Sequence, residues 1–335
     1  MTSQSSGNPG GYTTRQLFQA YQERKNSYLE TLGADYLHFP IKTIQIFTTD
    51  VTLKKYSDIE KASETLEGQA YNKTERALLG DKVLSVRKRT QSYDFTEEAI
   101  HYTSRPEVIG EIGPDEAIAG LYNSLIASRD DEFARMFYLM NTSLQDTVYN
   151  GQPIASETHT YLNSSVVNKN LMASKPLTDD SFEEMKLMAS AFKLSNGQPM
   201  GEFRNPVLVV GKNNERVAKQ IAQTMYDPYS ANNTKNTAQG LQYKVLYNLP
   251  PAFDNYYWLV DMARMSGSNG NLQSGIIRPY IWNDRLTYDD KSGLSFGVPD
   301  KWMAASFDRF MTFDPYWVVM CPATESINPA ALSTS

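Results

Sequence analysis

Asn205-Pro-Val-Leu-Val-Val-Gly211 and Tyr256-Tyr-Trp-Leu-Val-Asp261 bracket the stretch whose order decides the fold. Val207 to Val210 is a short, mostly β-branched run opened by Pro206 and closed by Gly211, and it reads as a buried strand. From Glu215 to Met225, the residues Val217, Ala218, Ile221, Ala222 and Met225 recur at helical spacing, with Glu215 favourable in the first turn. Pro228 stops that helix. A polar loop carrying Asn232, Asn233, Asn236 and Gly240 leads to a strand at Tyr243–Tyr247, and Asn255 ends the turn before a strand at Tyr256–Val260. Every step is well specified and no charge cluster interrupts it, which marks a scaffold rather than an active site.

Composition bounds the rest. The chain has 335 residues, 41% hydrophobic and 21% charged, in the range of globular proteins that bury an ordinary core in one large domain or two modest ones. No apolar run approaches the roughly eighteen residues of a membrane-spanning helix. Met1 to Gly11 is rich in Ser and Gly, lacks the basic-then-apolar pattern of a secretion signal, and reads as a mobile tail. The single cysteine, Cys321, excludes an internal disulfide, fits synthesis in a reducing compartment, and follows the apolar Trp317–Met320, so it reads as a buried structural thiol. The net charge of −6 disfavours recognition of nucleic acid through clustered cations. Arg87-Lys88-Arg89 is the one dense basic stretch and reads as a solvated strand face or an intersubunit charge pair.

Toward the N-terminus, Thr14 to Leu32 suits an N-terminal helix or extended arm. Ile41–Leu53 and Lys82–Tyr93 are strand-like, and the charged Lys54–Gly80 between them suggests a long protruding hairpin or loop. Gly113-Pro114 opens the clearest helix, with Asp115 and Glu116 in its first turn. Ile118, Leu121, Leu125, Phe133, Met136, Phe137 and Met140 keep one apolar stripe, which Tyr122 and Ile126 widen. Carried to Asn141 this helix would be about 40 Å long. Arg129-Asp130-Asp131-Glu132 interrupts the stripe and predicts a partly solvated side there. Asn150-Gly151 marks a turn. Asp180 and Glu183 stand at capping-box spacing for a further helix whose Phe182, Met185, Met188 and Phe192 face one way, and Asn196-Gly197 closes it. Beyond a loop at Ser266–Ser274, strands are predicted at Ile276–Ile281, Leu294–Val298 and Trp317–Met320, with an extended tail from Ala323.

The search for chemistry is nearly empty. His38, His101 and His159 are far apart, and none has a metal-ligand partner at short spacing. Glu157 and His159 would share a strand face, but His159 reads as a loop histidine without a catalytic role. No P-loop, nucleophile elbow or dinucleotide fingerprint is present. The adjacent pairs Asp130/Asp131 and Asp289/Asp290 diverge and form no acid/base dyad. The glycosylation-type triplets at Asn72, Asn141, Asn163 and Asn232 carry no meaning without a secretion signal. No catalytic, cofactor-binding or metal residues are assigned, and no cofactor is expected.

The succession in the second half resembles the major capsid proteins of tailed bacteriophages, in particular the Mu-like major head subunit group. The pieces are Tyr149-Asn150-Gly151 followed by His159 and Asn168, then Leu177 with the Asp180 helix and Asn196-Gly197-Gln198-Pro199. They continue through Asn205–Val210, the Glu215 helix, the Asn232–Gly240 loop and Tyr256–Asp261, about a third of the chain at motif level. The stretch after Asp261 is not closely matched.

The resemblance implies an α+β subunit with the tailed-phage major capsid protein fold. Residues 1–43 would be an N-terminal arm and 44–95 an extended E-loop hairpin with strands Ile44–Lys54 and Lys82–Tyr93. Residues 96–148 would form a peripheral domain with the spine helix, 149–272 an axial domain, and 273–335 C-terminal strands returning to the peripheral domain. It further implies a non-enzymatic protein whose copies form hexamers and pentamers of an icosahedral shell around double-stranded DNA, assembled in the host cytoplasm and resident in the virion. Its partners would be its own copies, a portal protein, separate scaffolding or decoration proteins, and DNA held only non-specifically, with no membrane. The acidic balance suits an inner wall that does not hold DNA tightly. Some relatives crosslink Lys to Asn between subunits, but the residues here single out no such pair. An encapsulin-like cellular shell protein and a soluble hydrolase built on scattered Asp and His are the competing readings.

Overall fold

The computed structural model describes residues 34–57, 76–95, 114–162, 164–223, 238, 240–266, 275–289 and 300–323. The expected arm at Thr14–Leu32, His101, the strand at Leu294–Val298, the Asn-rich part of the 232–240 loop and the tail beyond Ala323 lie outside them.

The Asn205–Asp261 stretch supplies three strands of a four-stranded sheet. In chain order the strands are β1 (Lys42–Gln45), β2 (Asp50–Tyr56), β3 (Leu78–Ser85) and β4 (Arg87–Phe95). Then follow helix α1 (Pro114–Tyr138), β5 (His159–Thr160), β6 (Val167–Asn168), α2 (Asp179–Ser190), β7 (Pro206–Gly211) and α3 (Glu215–Gln223). The chain continues with β8 (Gln242–Leu246), β9 (Tyr257–Asp261), α4 (Met262–Ser266), β10 (Ile276–Asp289), β11 (Asp300–Asp308), β12 (Met311–Thr312) and β13 (Val318–Cys321). One sheet runs β13-β9-β7-β8, and a second runs β1-β10-β11-β4 with β12 also on β10. β2 pairs with β3, and β5 with β6, as separate ribbons.

β7 reads as an unbroken apolar run because both of its faces are covered. Val207 and Val209, with Trp258, Val260, Val318 and Met320, face the core built on α1. Leu208 and Val210, with Tyr257, Leu259, Val319 and Cys321, face the core built on α2 and α3. Parallel strands β7 and β8 are joined through α3, whose Val217, Ala218, Ile221 and Ala222 are buried. Gly211 ends β7 where the chain passes against Asp254: a Cβ there would lie 2.3 Å from the Asp254 carbonyl oxygen. Asp261 closes the stretch. Fully buried, it accepts the backbone N–H groups of Arg204, Asn205 and Ala263, which fixes the entry to β7 and the start of α4.

Several local expectations are corrected. Ile41–Leu53 is not one strand: it breaks at residues 46–49, and β1 runs parallel to β10 whereas β2 belongs to the hairpin. Lys82–Tyr93 likewise breaks at Val86, where β3 leaves the hairpin and β4 joins β11. The cap of α2 is Thr178 with Ser181, not Asp180 with Glu183, because the Thr178 hydroxyl accepts the Ser181 N–H and the Ser181 hydroxyl accepts the Thr178 N–H. Asn196-Gly197 turns a small hairpin that bridges Lys193 to Pro199, whereas α2 has already ended at Ser190. Gly197 adopts φ 81°, a conformation that favours glycine.

The largest correction concerns α1. Its 25 residues span about 38 Å, and its Leu121, Leu125, Phe133 and Phe137 are buried as the stripe predicts. The interruption is solvated only at Asp131, which is exposed; Arg129, Asp130 and Glu132 are buried.

Candidate functional site: buried charge junctions and an anchored hairpin

The buried charges on α1 meet those of the second sheet. Arg129 donates Nε to Asp308 Oδ2 at 2.7 Å and Nη1 to Asp284 Oδ2 at 3.1 Å, and its Nη2 also pairs with Asp284. Arg278 donates Nε to the same Asp308 oxygen at 2.9 Å. Arg89 pairs with Asp308 and with Glu132, and Glu132 also accepts the Phe310 N–H at 3.3 Å. Three guanidinium groups therefore face three carboxylates. Burial works against the Arg129 charge, but the Asp284 hydrogen bonds and the Asp308 and Asp284 charges outweigh it and raise its pKa. Burial pushes the Glu132 carboxyl up, against the pull of Arg89. Arg87 and Lys88 are exposed, as a solvated strand face requires, whereas Arg89 is paired within the chain and ties β4 to α1. A balanced, hydrogen-bonded set can be buried, whereas an odd member would be costly.

The β2–β3 hairpin is held against the body by two buried lysines. Lys55 Nζ lies 2.9 Å from Asp314 and 5.8 Å from the centre of the Tyr149 ring. Lys82 donates to both Asp146 oxygens, at 2.8 and 2.7 Å, and to the carbonyl oxygens of Thr147 and Thr312. Burial pushes the Lys82 ammonium down and Asp146 opposes it. Asp146 also accepts the Thr312 N–H at 2.7 Å, so one carboxylate joins hairpin, loop and β12. Gly80 lets β3 pass Tyr149 closely, since a Cβ there would stand 2.6 Å from the Tyr149 carbonyl oxygen. The opposite face of the hairpin exposes Tyr56, Leu78 and Val83.

The chain enters the described fold through a third junction. Asp35 accepts the N–H groups of Tyr247 and Asn248 at 2.8 and 3.1 Å. Asp130 accepts the Tyr36 N–H at 3.1 Å, and Asp131 accepts from the Asn248 amide at 2.7 Å. The Phe39 ring packs 5.0 Å from Phe133 and 5.6 Å from Phe137. Burial, with the like charges of Asp35 and Asp131 adding to it, pushes the Asp130 carboxyl up to about 6.

Among the remaining singled-out residues, His159 is fully buried and lies in β5 rather than in a loop. Asn170 Oδ1 accepts the Ser156 N–H while its Nδ2 donates to the Ile154 carbonyl, so His159 Nε2 must donate to that Oδ1, 3.0 Å away. Burial pushes the imidazole down to about 4. His159 is a neutral strut. Glu157 is exposed and stands 3.9 Å from Lys169, apart from His159 in role. Cys321 is buried, its thiol 3.3 Å from the Ala173 carbonyl oxygen, and burial pushes it up, as expected of a structural thiol. Among the described residues, no group of three or more His, Cys, Asp and Glu is arranged to hold a metal ion.

No family model and no curated protein matches the chain in sequence. Solved structures do match in fold. The capsid structure of the cyanophage P-SCSP1u superposes with a TM-score of 0.58 at 7% identity, covering 87% of this chain and 88% of that one. The capsid of the native GTA particle gives 0.52 at 10% identity, covering 87% and 90%. The capsid of the empty GTA particle gives 0.50 at 10% identity with the same coverage. The likeness runs through most of the length of both partners. This α+β chain has the fold of tailed-phage capsid subunits.

Proposed function

We propose that this chain is the major capsid protein of a tailed bacteriophage, self-assembling into the icosahedral head shell that encloses a double-stranded DNA genome. The observation that carries this reading is the extent of the fold match, 87% of this chain against 88% of a phage capsid subunit, with little of either left over for another role. The described residues support a mechanical part: buried ion sets join the long helix to a sheet, and two buried lysines anchor the β2–β3 hairpin.

In this reading residues 1–43 are the arm, 44–95 the E-loop, 96–148 the peripheral domain, 149–272 the axial domain and 273–335 the returning strands. The β2–β3 ribbon supports the second assignment and the β13-β9-β7-β8 sheet the fourth. Copies form hexamers and pentamers. A portal protein and separate scaffolding or decoration proteins are the expected partners, with assembly in the host cytoplasm. The protein catalyses no reaction, and DNA is enclosed without specific recognition, in keeping with the net charge of −6. Sedimentation of the purified chain tests the reading: megadalton particles support it, and a monomer or small oligomer under all assembly conditions contradicts it.

A further inference from the structure

Three carboxylates from two elements converge where the chain enters the described fold. Asp35 belongs to the short Asp35–His38 turn, and Asp130 and Asp131 follow one another on α1. Together they fasten that turn between α1 and residues 247–248. Asp130 accepts the Tyr36 N–H, Asp35 the N–H groups of Tyr247 and Asn248, and Asp131 the Asn248 side-chain amide. Asp35 and Asp130 are only 4% and 8% exposed. An open cleft of about 340 Å³ is lined by all three carboxylates, so water and protons reach them.

The cations nearby are engaged elsewhere. Arg129, next to Asp130 on α1, is bound to Asp284 and Asp308. Lys244 of β8 donates to the His38 carbonyl and lies over the Phe39 ring. His38 attracts Asp35 from within the turn, and on the far side Tyr247 interacts with a further acid, Glu215. Like charges gathered around one turn repel one another, so a proton held among them tightens it. Burial, with the charges of Asp35 and Asp131, holds the Asp130 carboxyl up to about 6, and burial pushes Asp35 in the same direction. When the turn lifts away, both carboxyls return to water and ionise near a pH of about 4. The closed turn therefore keeps a proton that the open one releases. It is tightest below a pH of about 4 and loosens as pH rises through about 6.

We propose that the Asp35–His38 turn is a proton-operated latch on the entry of the chain. It closes onto α1 and residues 247–248 while Asp130 holds a proton, and it opens locally, with the rest of the fold intact, once Asp130 is charged beside Asp35 and Asp131. The latch works within one subunit, whatever that subunit builds.

Hydrogen exchange of the full-length, unassembled chain tests it, read at the Tyr36, Tyr247 and Asn248 amides and corrected for the intrinsic effect of pH on exchange. From pH 4.5 to pH 7.5 their protection is expected to fall by about tenfold or more. At pH 7.5 they are expected to exchange at least about tenfold faster than the amides of β7, which open only with the whole subunit. Asp130→Asn keeps an acceptor for the Tyr36 N–H and stands in for the protonated carboxyl, so it should hold the protection near its low-pH level throughout. Protection of the unmutated chain that does not change with pH overturns the latch. So does exchange no faster than that of β7, since the turn would then open only on global unfolding. An undiminished pH dependence in Asp130→Asn overturns the assignment of the proton to Asp130.

Discussion

Arg129 of the long helix donates its Nε to Asp308 of β11 at 2.7 Å, with their side chains 3% and 2% exposed. That contact is one of those joining the spine to the sheet where the apolar stripe of α1 is interrupted. Removing one member strands the others in a site with little water. Asp308→Ala is expected to destabilise the subunit by about 3–5 kcal/mol, because Arg89, Arg129 and Arg278 all lose a carboxylate. Urea unfolding of the unassembled subunit measures it, and a loss below about 1 kcal/mol would show that the set is not energetically coupled.

In the hairpin, Lys82→Met leaves Asp146 buried without its ammonium partner, its side chain being 4% exposed. The expected cost is again about 3–5 kcal/mol. Part of it should appear locally, as faster hydrogen exchange at β2 and β3 amides than in β7. The double variant Lys82→Met/Asp146→Asn should recover part of the loss, since no charge is then stranded. Strictly additive effects would argue that the pair does not act as a clamp.

Asp130 gives the entry junction a pH dependence of defined sign. Its folded pKa of about 6 lies above the unfolded value, so the folded state binds the proton more tightly. Its contribution is most favourable below the unfolded pKa near 4 and declines as pH rises through about 6. Asp130→Asn keeps an acceptor for the Tyr36 N–H and removes the charge. It should stabilise the subunit at pH 7.5 by at most about 3 kcal/mol and make little difference at pH 4. Melting temperatures of both proteins across that range decide it, and a gain confined to low pH would reverse the sign.

The neutral strut predicts a spectroscopic signature. His159 should titrate near pH 4, well below the free imidazole, because burial disfavours its charged form. For a base with a depressed folded pKa, stability is lost as pH falls from about 6.5 toward 4, opposite in sign to Asp130. NMR of the imidazole ring in the unassembled subunit reads the value directly. A pKa above 6 would mean that the ring is solvated.

Much of the scaffold is legible in the sequence because it rests on local patterns. β7, α3 and β9 follow from β-branched runs, helical spacing and Pro and Gly punctuation, and α1 from its proline start and apolar stripe. The charge junctions are not local. Asp308 lies 179 residues from Arg129, and no spacing rule links them. A charged tetrad in an apolar helix face signals either water or a buried partner, and only tertiary structure distinguishes the two. Hydropathy also misleads in β3, where Lys82 points inward and Val83 outward, since the carboxylate that receives the lysine stands 64 residues away. The breaks at residues 46–49 and at Val86 were hidden because the residues on both sides favour extended backbone. What changes there is the sheet the strand joins. The resemblance to the Mu-like group is one of motif order alone, while the shared fold reaches across sequences only 7–10% identical.

In the proposed function, copies of this chain build a closed shell. Negative-stain electron microscopy of the purified, full-length protein tests it most directly. Uniform, hollow, icosahedral particles tens of nanometres across are the predicted result. A field of small discrete particles, unchanged by protein concentration, salt or added scaffolding protein, would contradict it.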